Sequence, residues 1–203
     1  MRQIVFASNN ANKIAELRRI LGPDFEVLGL SDIGCHDDIP ETADTFEGNA
    51  LLKAAYVKEH YGYDCCADDS GLEVDALGGA PGIYSARYAG GDGHDSEANN
   101  ARLLRELIGV ANRRARFRTA IALLEDDAEP LFFHGVVEGN ILTAPRGDAG
   151  FGYDPLFVPL GWTKTFAEAS PDEKNAVSHR GQAVRRLIQH LTSHINLSNE
   201  HLL

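Results

Sequence analysis

The sequence predicts an α/β fold with a mixed sheet, helices on its faces, and two lobes separated by a cleft. Apolar runs typical of strands alternate with helical periodicity as far as residue 108. Two alternating stretches, 117–123 and 132–136, then favour a hairpin across a turn at 125–130. No repeat or long linker interrupts the 203 residues. We therefore expect one domain over 1–195 and a polar, frayed tail over 196–203.

The first elements read as strand, helix and strand. Residues 3–8 form a short apolar run that ends in polar residues. Residues 13–21 carry apolar side chains at helical spacing, with Asn12 as the expected cap. Residues 26–29 predict a weak second strand.

Further along, the pattern predicts three more helices and one buried strand. The helices are expected at 45–61, at 96–108 and from about 175–179 onwards. The strand, 64–67, ends at Asp68-Asp69-Ser70-Gly71, which we interpret as a turn. The glycine-rich segment 78–93 is expected to be a loop whose backbone can approach other groups closely.

Charge and cysteine content exclude several functions. The 19 Lys and Arg against 30 Asp and Glu give a net charge of -11, which opposes binding to nucleic acid or an anionic membrane. Residues 32–97 hold 15 acids and three bases, so this stretch carries the acidic excess. The three cysteines contain no CxxC and predict reduced thiols. Without a signal-peptide pattern or a long apolar run, we expect a cytoplasmic protein.

The segment Ser8-Asn9-Asn10-Ala11-Asn12-Lys13 lies between the first predicted strand and helix. Backbone N–H groups and the positive end of a helix dipole meet there and can stabilise an anion. Small polar side chains let a phosphate chain approach, and Lys13 adds a full positive charge. Because the GxxxxGK(S/T) pattern of a P-loop is absent, an ordinary capped helix start is the alternative.

Carboxylates of the acidic stretch are candidate metal ligands. Asp68 and Asp69 follow a buried strand, where they could hold Mg²⁺ or polarise water. Glu41 is a second candidate because Pro40 stiffens the backbone before it. For the acidic pair the alternative is an Asx-type turn, in which Asp and Gly are ordinary residues.

A loop and a helix start carry the remaining candidates. Phe151 and Tyr153 lie among glycines in the loop 150–155, where a flat ring ligand could stack, or where both rings could pack at the core edge. The last predicted helix begins with three donors: Lys174, His179 and Arg180. Each can donate to a phosphate or a base carbonyl, or can pair with acidic neighbours.

Five segments together resemble the inosine triphosphate pyrophosphatase family, the non-canonical purine nucleoside triphosphate pyrophosphatases. In chain order they are SNNANK (8–13), TFEGNALLKA (45–54), ADDSGLEVDALGGAPGIYSARYAG (67–90), FGYDP (151–155) and EKNAVSHRGQA (173–183). Five ordered matches between Ile4 and about Leu191 are far more specific than any one of them.

The resemblance implies Mg²⁺-dependent hydrolysis of ITP, dITP, XTP and dXTP to the monophosphate and pyrophosphate. It also implies a homodimer with an elongated central sheet and the active site in the cleft between the lobes. The implied metal ligands are Glu41 and Asp69, and Asp69 also accepts the water proton. The implied substrate contacts are Ser8, Asn9, Asn10, Ala11, Asn12 and Lys13 for the triphosphate, Ser70, and Phe151, Gly152, Tyr153, Asp154, Lys174, His179 and Arg180 around the base.

One departure and two alternatives accompany this resemblance. Many relatives carry an acid immediately before the Asn of the second segment, whereas here Gly48 precedes Asn49, so we leave Glu47 out of the site. The alternative function is a sensing module that binds a purine triphosphate without cleaving it. The acidic pair argues against this module, because carboxylates beside an anion help only when a metal intervenes. A serine hydrolase using Ser70 and His179 would lack the GxSxG elbow.

Overall fold

The computed structural model describes residues 2–91, 95–125 and 128–200, so residue 1 and residues 92–94, 126–127 and 201–203 lie outside the described parts. The strands are β1 (Arg2–Phe6), β2 (Phe25–Leu28), β3 (Cys65–Val74), β4 (Arg114–Leu124), β5 (Leu131–Ile141) and β6 (Phe157–Pro159). The helices are α1 (Ala11–Leu21), α2 (Phe46–Tyr61), α3 (Ser96–Glu106), α4 (Pro171–Val177) and α5 (His179–Glu200). Short 3₁₀ segments occur at Ser31–Ile33, Asp75–Leu77 and Gly82–Arg87.

Within these ranges the strands form one mixed sheet in the order β2-β1-β3-β4-β5-β6. β1 pairs in parallel with β2 and β3, and the remaining pairs are antiparallel. The predicted mixed sheet flanked by helices is therefore confirmed. The predicted hairpin is also confirmed, although its two strands are longer than the alternation indicated.

The hydrophobic core is divided along the long strands. Around Phe6, α1 and α5 pack on one face of the sheet, and around Val57, α2 packs on the other. A third cluster surrounds Phe157 and takes residues from the far ends of β3, β4 and β5. The two lobes remain a prediction. The three cysteines are free and buried, as the sequence predicts.

The predicted turn at Asp68-Asp69-Ser70-Gly71 is wrong, because these residues lie inside β3. The strand pairs with β4 without interruption from Cys65 to Val74, and this ladder outweighs the local turn preference of Asp and Gly. Gly71 serves close packing: a Cβ there would lie 2.3 Å from the carbonyl oxygen of Gly82. Both acids are thus held by a sheet rather than by a loop.

Three boundaries also differ from the prediction. The cap of α1 is Asn10 rather than Asn12, because the Asn10 side chain accepts from the N–H groups of residues 12 and 13. The single predicted C-terminal helix is broken at Ser178, whose hydroxyl accepts from the Gly181 N–H as a cap does. The last helix, α5, extends into the predicted tail as far as Glu200, where the described residues end.

No helix among the described residues combines the length and apolar character needed to cross a membrane.

Candidate active site

One cavity of about 960 Å³ brings together the sequence-predicted site residues from distant parts of the chain. Its wall includes Ser8, Asn9, Asn10, Asn12, Lys13, Glu41, Asp69, Ser70, Phe151, Gly152, Tyr153, Asp154, Lys174, His179 and Arg180. Ala11 is the exception, because it is exposed at the start of α1 and does not line the cavity.

The loop at the end of β1 presents polar groups and a cation to the cavity. The Ser8 hydroxyl accepts from the Asn10 N–H at 3.1 Å, and the Asn10 side chain caps α1. Lys13, in the first turn of α1, places its Nζ 2.9 Å from Asp68 Oδ1. The loop therefore combines a helix N-terminus with an ammonium group that a buried carboxylate orients.

Asp68 and Asp69 have different surroundings because successive strand side chains point to opposite faces. Asp68 is 1% exposed and accepts from Lys13, Ser70 and Arg180. Burial disfavours its charge, but Lys13 and Arg180 outweigh burial and hold its pKa well below the ordinary value. Asp68 is therefore a permanently ionised structural anion at the back of the site.

Asp69 faces the cavity and titrates differently. Its Oδ2 accepts from the Asn49 amide at 3.1 Å, and its Oδ1 lies 4.0 Å from Lys53 Nζ. Burial raises the pKa of Asp69 to about 6, with Lys53 and Lys13 opposing and Glu41 adding to the rise. A carboxyl group with this pKa is suited to accept a proton near neutral pH.

Glu41 reaches the same place from the loop before α2. Its Oε1 lies 2.5 Å from Lys53 Nζ, and its Oε2 accepts from Arg87 at 3.3 Å. Burial opposes ionisation of Glu41, but the nearby Lys53 ammonium lowers its pKa below the ordinary value. Glu41 and Asp69 are thus two carboxylates that share one cation.

At the other end of the cavity, buried ion pairs hold the two basic residues that the sequence analysis singled out. Lys174 lies 2.8 Å from Glu16 and 2.7 Å from Asp154. Arg180 pairs with Glu16 and with Asp68. Lys174 and Arg180 thus pair with acidic neighbours, which is the alternative that the sequence analysis left open.

The aromatic loop is shaped around Asp154. Its carboxylate accepts from the Phe151 N–H at 2.9 Å, and Gly150, at φ +75°, leaves the space in which a Cβ would lie 2.2 Å from Asp154 Oδ2. The Phe151 ring lies 4.7 Å from Lys174 Nζ and lines the cavity. Tyr153 is 4% exposed and donates its hydroxyl to the Ser85 carbonyl, so its ring packs in the core.

His179 is buried at the start of α5 and stacks on Phe117, with ring centroids 4.8 Å apart. Burial lowers its pKa well below the ordinary value, and the neighbouring cations Arg180 and Lys174 add to this effect, so the ring is neutral. Its Nδ1 has no hydrogen-bond partner within the described residues. His179 thus contributes a neutral ring to the cavity wall and a buried nitrogen whose hydrogen-bonding capacity is unused by the described residues.

Sequence reasoning missed four polar residues of this site. Glu16 lies three positions after Lys13 on α1, whereas Asn49 and Lys53 lie four positions apart on α2, and Arg87 ends a 3₁₀ segment. The sequence signal that could have revealed two of them is an Asn and a Lys at positions of α2 where the helical spacing otherwise places apolar, buried residues. Glu47, excluded from the predicted site, pairs with Arg118 and does not line the cavity.

Fold and site together define an α/β protein with a charged cleft that joins a helix-start loop, two carboxylates and an aromatic, basic end. The chain belongs to the Ham1 family, whose profile matches residues 4–190. The family resemblance that the motifs indicated is therefore confirmed.

Relatives and solved structures match over nearly their whole length. A protein of Flavobacterium psychrophilum named dITP/XTP pyrophosphatase is 54% identical, covering 92% of this chain and 97% of the relative. A Porphyromonas gingivalis protein of the same name is 52% identical, covering 92% of this chain and 96% of the relative. The structure of the Staphylococcus aureus Ham1 protein has a TM-score of 0.86 at 42% identity, covering 95% of this chain and 100% of that one.

Proposed function

We propose that this chain hydrolyses ITP, dITP, XTP and dXTP to the monophosphate and pyrophosphate. The observation that carries the proposal is the single cavity in which the Lys13 loop, the Glu41 and Asp69 carboxylates and the Phe151 loop meet. Relatives more than 50% identical to this chain are named dITP/XTP pyrophosphatases, which supports the same substrate class.

The triphosphate would bind at the loop 8–13, where the start of α1 and the Lys13 ammonium favour an anion. The base would lie over Phe151, beside the neutral His179 ring. Hypoxanthine and xanthine present a 6-keto acceptor, whereas adenine presents a 6-amino donor. A buried donor left facing the adenine amino group costs about 1–3 kcal/mol, so ATP should be a poor substrate.

The residues present fit a magnesium ion held by Glu41 and Asp69. Their combined negative charge attracts cations, as the Lys53 ammonium beside both shows, and a metal ion bound there would compete with that ammonium. In the described part of the chain no three His, Cys, Asp or Glu side chains gather as a metal site. Mg²⁺ commonly uses one or two carboxylates together with waters and substrate phosphates. When bound, it would neutralise phosphate charge and lower the pKa of the attacking water.

Asp69 would then accept the proton of the attacking water. Its pKa of about 6 leaves it mostly ionised at neutral pH while it remains basic enough for proton transfer. The Asn49 amide and the Ser70 N–H fix its two oxygens. Lys13 would balance charge on the phosphates during bond breaking.

A panel of nucleoside triphosphates tests the proposal. Purified protein with Mg²⁺ should convert dITP and XTP to monophosphate with pyrophosphate, and dATP far more slowly. Separate assays for pyrophosphate and orthophosphate distinguish this from stepwise release. Binding of dITP without turnover would favour the sensing module instead. The homodimer and the cytoplasmic location remain predictions; sedimentation of the purified protein tests the first.

A further inference from the structure

The loop that carries Glu41 lies along α2 and contacts this helix at three positions of the loop. We call residues 35–44 the Glu41 segment. Asp37 accepts from the hydroxyls of Tyr56 and Tyr61, at 3.0 and 2.8 Å. Glu41 pairs with Lys53, and the Ala43 N–H donates to Asn49 at 2.9 Å. The segment has no strand or helix of its own, so these contacts with α2, together with the pair between Glu41 and Arg87, hold it in position.

Asn49 is the contact that also reaches the other carboxylate. Its side chain is completely buried, with Oδ1 accepting from the Ala43 N–H and Nδ2 donating to Asp69 Oδ2 at 3.1 Å. Ala43 is two residues from Glu41 in sequence. One amide group therefore links the Glu41 segment directly to Asp69 on β3.

The chemistry of this bridge requires an amide. The Ala43 backbone offers a donor and the ionised Asp69 offers an acceptor, so the bridging group must accept at one end and donate at the other. A carboxylate would repel Asp69, and an apolar side chain would leave a buried backbone N–H unpaired. Lys53, one helical turn further along α2, lies between the two carboxylates and reduces their mutual repulsion.

We propose that Asn49 is a positioning residue that sets the separation of Glu41 and Asp69, so that both carboxylates can hold one divalent cation. The expected effect on dITP hydrolysis rests on the proposed function, whereas the role of Asn49 in placing the two carboxylates does not. Asn49 does not line the cavity, so it acts through its two hydrogen-bond partners.

Two variants separate the halves of the bridge. Asn49→Ala removes both hydrogen bonds, whereas Asn49→Asp keeps an acceptor for Ala43 and loses the donor to Asp69. Thr45→Ala is the matched control, because it removes the cap of the same helix, the bond from the Gly48 N–H, without touching either carboxylate. Urea unfolding of each variant first establishes that it folds.

The first readout is amide hydrogen exchange at Ala43 in the metal-free protein. Exchange should accelerate about fivefold or more in Asn49→Ala, as the loss of one buried hydrogen bond requires, and should stay slow in Asn49→Asp and Thr45→Ala. The second readout is Mn²⁺ affinity by electron paramagnetic resonance, without nucleotide. It should weaken roughly 10- to 100-fold in Asn49→Ala and stay unchanged in Thr45→Ala.

With dITP, Asn49→Ala should lower kcat and raise the Mg²⁺ concentration needed for half-maximal rate, with little change in KM for the nucleotide. Wild-type Mn²⁺ affinity in Asn49→Ala, or equal losses of that affinity in Asn49→Ala and Thr45→Ala, would overturn the proposal. If Asn49→Ala does not fold, wild-type Mn²⁺ affinity in Asn49→Asp, which lacks the donor to Asp69, overturns it equally. Failure of the wild-type chain to hydrolyse dITP would reject the proposed function, while exchange and Mn²⁺ binding would still decide the role of Asn49.

Discussion

Asp68 and Asp69 show how two identical side chains, one peptide bond apart, acquire different chemistry. β3 turns them to opposite faces, so Asp68 meets Lys13 and Arg180 while Asp69 faces the cavity. The cations keep Asp68 ionised, whereas burial raises the pKa of Asp69 to about 6. The strand therefore supplies a fixed anion and a titratable base from adjacent positions.

The pKa of Asp69 predicts the pH dependence of the proposed hydrolysis. Because the base must be ionised, kcat/KM for dITP should be flat near pH 8 and fall about tenfold per pH unit at acid pH; the fall begins no higher than about pH 6, the pKa of Asp69 in the metal-free protein, and a bound Mg²⁺ moves it to lower pH. Asp69→Asn should lose on the order of 10² to 10⁴ in turnover while keeping some nucleotide affinity. Initial rates between pH 5 and 8 check this, and near-normal turnover of the variant would assign the base elsewhere.

The lowered pKa of Asp68 predicts that the stability of the fold also depends on pH. Its folded pKa lies below the ordinary value of 3.8, so its ionisation stabilises the fold above that pH and the contribution is lost as the pH falls through and below it. Asp68→Asn leaves Lys13 and Arg180 incompletely paired and should cost about 3–5 kcal/mol at pH 7, with a smaller difference at pH 3.

Urea unfolding at both pH values measures this difference. Asp172→Asn is the control, because its partner Arg19 and Asp172 itself lie on the surface, and little change is expected there. A deficit for Asp68→Asn that is the same at pH 3 and pH 7 would show that packing rather than charge is responsible.

At the level of elements, helices followed from the sequence more reliably than strand ends did. The periodicities of α1, α2 and α3 placed these helices to within two residues of the structure. The extension of β3 through Asp68 to Gly71 depends on ten paired positions of β4, which no local pattern contains. The break at Ser178 was missed because residues 175–179 read as helix on either side of it.

β5 and α5 approach each other so closely at Gly135 that adding one methyl group there should disturb both elements. A Cβ at Gly135 would lie 1.8 Å from the carbonyl oxygen of His179, so the backbone at the start of α5 must shift. Gly135→Ala should therefore lower the free energy of unfolding by about 1–3 kcal/mol or more and reduce turnover. Thermal unfolding compared with Val136→Ala, an exposed neighbour on β5, checks this. Equal stability of the two variants would contradict it.

At the scale of the whole molecule, motifs identified which segments meet, but not how their charges pair. The strings at 8–13, 67–90, 151–155 and 173–183 were expected to share a site, and they line one cavity. Glu16 was missed because its role is to accept hydrogen bonds from Lys174 and Arg180, which lie more than 150 positions away along the chain. Such a pairing is set by the packing of α1 against α4 and α5, which the sequence does not state locally.

Hydrolysis of dITP in H₂¹⁸O, with mass spectrometry of both products, shows directly which phosphorus the water attacks. If Asp69 directs water to the phosphorus nearest the nucleoside, one ¹⁸O should enter the monophosphate and the pyrophosphate should remain unlabelled. The Asp69→Asn variant should show the same labelling at a much lower rate. Label in pyrophosphate, or release of labelled orthophosphate with a diphosphate intermediate, would contradict the account.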